Sequence, residues 1–134
     1  MENTQKFTPG VKIIIVEDDK FLGGLVSKKL IDEGCVVRHI ESGELAQAAA
    51  ESDMADLMFL DLLLPGMSGF EVLAGLKNSD KTKDIPVIIL SNLGEREDIR
   101  RGLELGATSF LIKASMTVDS IVNEASRILR IRKK

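Results

Sequence analysis

A chain of 134 residues fits one ordinary domain and leaves no room for a second of similar size. Apolar residues at 44% and charged residues at 29% are a globular balance, and without Trp or Tyr the core must be aliphatic. A formal charge of -3 gives no electrostatic reason to expect nucleic-acid binding, the lone Cys35 excludes an internal disulfide, and no Cys/His spacing suggests zinc.

Residues 1–10 are polar and end in Pro9-Gly10, which reads as a flexible lead, with the domain expected over 11–132. MENTQKFTPG lacks the apolar core of a secretory signal. No apolar stretch is long enough to span a membrane, so the expected location is the cytoplasm, in a reducing compartment. Val11 to Val16 is short, β-branched and continuously apolar, the mark of a strand covered on both faces. Leu22, Val26 and Leu30 follow at helical spacing, with Phe21 and Leu25 beside them, and Gly34 supplies a stop.

The alternation repeats. CVVRHI is a weak strand, SGELAQAAAES a helix opened by Ser42, and DLMFL a strongly apolar strand. Ser68 and Glu71 have capping-box spacing ahead of Val72, Leu73 and Leu76. PVIIL is a strand whose Pro86 is tolerable at its first position, residues 95–105 form a charged helix ended by Gly106, and TSFLI is the fifth strand. From Val118, positions 118, 121, 122, 125, 128 and 129 are apolar at helical spacing. Five β-α units predict a doubly wound α/β domain: a five-stranded parallel sheet of order 2-1-3-4-5 between two helical layers, as in flavodoxin.

Such sheets bind ligands beyond the carboxyl ends of their strands, at the point where strand order reverses. Glu17-Asp18-Asp19 follow the first strand, Asp61 the third, Ser91 the fourth and Lys113 the fifth, so every polar candidate lies on one edge. Clustered carboxylates repel one another unless a cation intervenes, and hard oxygen donors with water suit Mg2+. The acidic first loop argues against a nucleotide or flavin cradle, and neither GxGxxG nor GxxxxGK[ST] occurs. Asp61, a metal, a hydroxyl and a lysine instead point to phosphoryl transfer onto a carboxylate, with Ser91 donating to a phosphoryl oxygen and Lys113 supplying positive charge.

KIIIVEDD, FLDLLLPGMSGFEVL, VIILSN and GATSFLIK, in this order and spacing, resemble the receiver domain of two-component response regulators from about Val11 to about Leu129. The resemblance implies that Asp61 is the phosphoacceptor. It also implies that Asp18 touches Mg2+ directly, Glu17 through water, and the Leu63 backbone carbonyl completes the protein ligands. Ser91 resembles the conformational hydroxyl, Phe110 the aromatic switch and Lys113 the phosphate-contacting lysine. Two positions depart from the family pattern. Ala114 stands where proline usually follows the lysine, and a cis bond before Ala costs roughly 2.5 to 4 kcal/mol, so a trans bond is expected. Asn92 replaces a small residue beside the hydroxyl and is expected to alter phosphoryl lifetime.

The implied partner is a histidine kinase or histidine phosphotransfer protein. The domain would catalyse only its own phosphorylation and dephosphorylation, changing the surface of helix 4, strand 5 and helix 5 that an unknown output protein or a second copy would bind. The alternatives are an aspartyl-nucleophile phosphatase, which would need an acid where Leu63 stands, and a phosphate-independent interaction module with a vestigial pocket. Asp19 is divided between capping the first helix and sharing in metal hydration. His39 reads as a surface or half-buried residue, Cys35 as half-buried, and the basic RILRIRKK tail as a solvated terminus rather than a nucleic-acid arm. Met1 and that basic end read as a complete, stand-alone chain.

Overall fold

The computed structural model describes residues 6–132. Five parallel strands, β1 (Lys12–Val16), β2 (Val36–Ile40), β3 (Leu57–Leu60), β4 (Val87–Ser91) and β5 (Ser109–Ile112), form one sheet in the order β2-β1-β3-β4-β5, as expected. Helices α1 (Lys20–Asp32), α2 (Ala46–Asp53), α3 (Gly69–Lys77), α4 (Arg96–Glu104) and α5 (Val118–Arg132) alternate with them.

Alternation along the strands divides the core. Ile14, Val16, Met58, Leu60, Val87 and Ile89 pack on the α2–α3 side. Ile13, Ile15, Leu57, Phe59, Ile88 and Leu90 pack against Val26 and Leu30 of α1 and Ile121, Val122, Ala125 and Ile128 of α5. Both faces of β1, β3 and β4 are thereby covered, which is why these strands read as unbroken apolar runs. β5 lies at an edge and is half-buried throughout.

Local chemistry sets the helix ends. Asp19 Oδ1 accepts from the Phe21 and Leu22 amides at 3.0 and 3.1 Å, so Asp19 caps α1. Ser68 Oγ accepts from the Glu71 amide and opens α3. Ser42 makes no such bond, because Gly43–Leu45 form a 3-10 turn and α2 begins only at Ala46. The packed chain also starts earlier than Val11: Phe7 is buried, and Ser126 Oγ donates to the Lys6 carbonyl at 2.8 Å. Residues 1–5 of the expected flexible lead, and Lys133-Lys134 of the basic tail, lie outside the described residues. Among the described residues, no helix is long and apolar enough to cross a membrane.

Candidate functional site at the carboxyl edge of the sheet

The strand order makes β1 and β3 neighbours, and the Asp61 amide extends their pairing by donating to the Val16 carbonyl at 3.0 Å. Glu17 and Asp61 therefore leave the sheet side by side. Ligand oxygens of Glu17, Asp18 and Asp61 all lie within 4.8 Å of one another, with Glu17 and Asp61 buried and Asp18 exposed. Asp19, committed to its cap, is outside this cluster.

Lys113 reaches in from the end of β5. Its ammonium donates to Asp61 Oδ2 at 2.9 Å and stands 2.7 Å from Glu17 Oε1. No cis peptide bond occurs among the described residues, so Lys113 spans to both carboxylates with the trans bond before Ala114 expected from sequence. Asp61 Oδ1 accepts from the Leu63 amide at 3.1 Å. Glu17 Oε1 is buried and faces the Lys113 ammonium as an ion pair. The other Glu17 oxygen accepts from the Asp19 amide at 3.1 Å.

The electrostatics follow. Burial pushes the Glu17 carboxyl up to about 7, opposed by Lys113 and the Asp19 amide and reinforced by the Asp61 charge. For Lys113, burial works against the ammonium, but the two carboxylates outweigh it and hold its pKa above the ordinary lysine value. Three carboxylates facing one ammonium leave an excess of negative charge. That excess and the all-oxygen donor set fit a hard divalent cation such as Mg2+.

The other expected residues are distributed around this cluster. Ser91 ends β4, fully buried, with its Oγ accepting from the Leu93 amide at 3.3 Å, whereas Asn92 is exposed. Phe110 is half-buried on β5, in register with Ile89 and close to Gly102 of α4. Leu63 is exposed.

Gly69, which lies inside the capping-box segment, is a point of close approach to the Asp61 loop. Its amide donates to the Leu62 carbonyl at 3.0 Å, and a Cβ there would lie 2.3 Å from the Asp61 carbonyl oxygen. The start of α3 thus presses directly on the Asp61 backbone. Its only signal in the sequence is a glycine placed right after a helix cap.

A family model described as the response regulator receiver domain matches residues 13–125. The DNA-binding dual master transcriptional regulator RpaA of Synechocystis is 35% identical over 119 residues, covering 89% of this chain and 49% of that protein. The solved receiver domain of the Francisella response regulator 1452 superposes with a TM-score of 0.82 at 26% identity, over 93% of this chain and 100% of that one. The Mn2+-bound form of the response regulator Rcp1 does so with a TM-score of 0.74 at 28% identity, over 84% of this chain and 89% of that one. The chain spans about half the length of the first curated relatives it matches.

Proposed function

Because the chain belongs to the response regulator receiver domain family of two-component signalling, we propose that it is a phosphorylation-dependent switch that accepts a phosphoryl group on Asp61 from a phosphohistidine partner. The donor is a histidine kinase or histidine phosphotransfer protein of the cytoplasm. The observation that carries this reading is the buried Asp61 carboxylate, held on one oxygen by the Leu63 amide and on the other by Lys113, beside two further carboxylates.

Glu17, Asp18, Asp61 and the Leu63 backbone carbonyl would hold Mg2+, with Asp18 in direct contact and Glu17 through water. Bound there, the ion supplies positive charge that offsets the carboxylates and the phosphoryl oxygens. In the transfer, an Asp61 oxygen forms a bond to phosphorus as the bond to the partner's imidazole nitrogen breaks, and the electron pair leaves with the imidazole. Lys113 balances charge on the phosphoryl oxygens, and water later attacks the acyl phosphate to restore the carboxylate. The domain catalyses these two reactions on itself and no others.

The added charge of about -1.5 to -2 recruits Lys113 and the Ser91 hydroxyl, and Phe110 turns inward as that hydroxyl moves. Asn92, exposed beside Ser91, adjusts access to the acyl phosphate and so its lifetime. The surface of α4, β5 and α5 then changes and binds the output protein or a second copy. Leu63, lacking an acid, supplies no proton to a leaving group, which counts against a phosphatase.

Incubation with acetyl phosphate and Mg2+ followed by intact mass tests the reading. One phosphoryl group is expected on the wild type and none on Asp61→Ala. Absence of the adduct, or its survival in Asp61→Ala, overturns the proposal.

A further inference from the structure

The chain's single histidine lies against the acidic pair. His39 stands on β2 in register with Ile15, half-buried on the sheet face that α1 covers. Its Nε2 is 2.8 Å from the Glu17 backbone carbonyl. A carbonyl oxygen can only accept, so Nε2 carries the hydrogen. The ring fits there because Gly23, buried on α1 one turn before Val26, has no side chain. A Cβ at Gly23 would lie 2.3 Å from His39 Cε1 and 2.4 Å from Nε2.

This bond falls where the backbone leaves the sheet. The Glu17 amide makes the last ladder bond, to the Ile40 carbonyl at 2.9 Å, and Asp19 is already fixed as the cap of α1. Between them, the peptide joining Glu17 to Asp18 links the two residues of the acidic pair. Rotating that plane would move both carboxylates relative to Asp61. We infer that His39 is a positioning residue for the acidic pair, holding the Glu17–Asp18 peptide through its hydrogen bond to the Glu17 carbonyl, and that Gly23 is the space this requires. The inference rests on the reading that Glu17, Asp18 and Asp61 hold a divalent ion. Partners that orient metal ligands typically affect affinity by about 10- to 100-fold when removed.

The test is calorimetric titration of the full chain with Mn2+ alone, with thermal melting of each variant followed by circular dichroism. His39→Leu is expected to weaken Mn2+ binding about tenfold while still melting cooperatively. His39→Gln, which restores an amide donor, should recover most of the loss. Gly23→Ala should weaken binding comparably with His39 intact, by pushing the ring off the carbonyl, and should add nothing further in the double variant with His39→Leu. If His39→Leu fails to fold, Gly23→Ala compared with the open position Gly24→Ala carries the test. Wild-type affinity in both His39→Leu and Gly23→Ala overturns the inference alone. A wild type that binds no Mn2+ overturns the metal reading and the inference with it.

Discussion

Helices α1 and α4 serve the same sheet on very different terms. α1 buries Gly23, Val26 and Leu30, is capped by Asp19, and ends where Gly34, at φ +96°, donates to the Ile31 carbonyl. α4 buries Gly102 alone, and its N-cap Glu95 makes no side-chain bond. On its surface, the Arg101 guanidinium lies 4.1 Å over the Phe70 ring, while Arg100 pairs with Glu97 and Glu104 within the helix itself. Exposed pairs of this kind contribute little, so α4 is expected to open more readily than α1. The scaffold that aims the acidic pair and the element proposed to move are thus separated by how much apolar surface each buries.

Truncating one leucine on each helix gives the largest contrast. Leu30, fully buried, should cost about 3 kcal/mol when changed to Ala, since both transfer energy and a cavity are involved. Leu103, 46% exposed, should change stability by no more than about 0.5 kcal/mol. Urea unfolding followed by circular dichroism checks both, and similar losses would erase the distinction between the helices.

A thiol probe reads the same contrast kinetically. Cys35 is buried just beyond α1, and burial, helped by the Glu33 charge, pushes its thiol up to about 11 from an ordinary value near 9. At mildly alkaline pH its thiolate fraction is then about a hundredfold below that of the unfolded chain, and iodoacetamide should label it correspondingly slowly. A cysteine introduced by Leu103→Cys in a Cys35→Ser background should label at the rate of an exposed thiol. The linkage sign also follows. Below about 9 both states keep the Cys35 proton; between about 9 and 11 the unfolded chain releases it and the folded one does not, so this contribution to stability is lost as pH rises through that window. Equal labelling of the two positions would mean that α1 opens as readily as α4.

Why the sequence told more about the sheet than about these helices is a matter of range. β-branched runs such as VKIIIV and PVIIL mark buried strands by themselves, and the alternation of strand and helix brings Glu17, Asp18, Asp61, Ser91 and Lys113 to one edge. Ser42 misled, because a cap and the first residue before a 3-10 turn look alike until the hydrogen bonds are seen. Phe7, a lone aromatic in a polar segment, gave no periodicity to read, yet it packs into the core beside α5. His39 and Gly23 are ordinary residues apart and acquire meaning only where β2 meets α1, a contact across sixteen positions that no local pattern encodes.

The smallest effect is also the most discriminating, because it uses one substitution on both helices. Replacing an exposed helical glycine by alanine removes backbone freedom from the unfolded chain and gains about 0.5 to 1 kcal/mol. Gly24 of α1 has nothing within 4 Å of its would-be Cβ, so Gly24→Ala should stabilise by that amount. Gly102→Ala carries the same propensity gain, but its Cβ would lie 2.6 Å from Ile89 Cδ1 and 3.3 Å from Phe110 Cδ2. Either the core yields, at a cost of about 1 to 3 kcal/mol, or α4 moves outward. A helix that buries Gly102 alone moves more cheaply than β4 deforms, so the net loss should stay near 1 kcal/mol, with hydrogen exchange accelerated in α4 and unchanged in α1. Exchange that rises equally in both helices would show that α4 is anchored as firmly as α1, and a stabilised Gly102→Ala would show that α4 stands farther from β4 and β5 than their contact at Gly102 indicates.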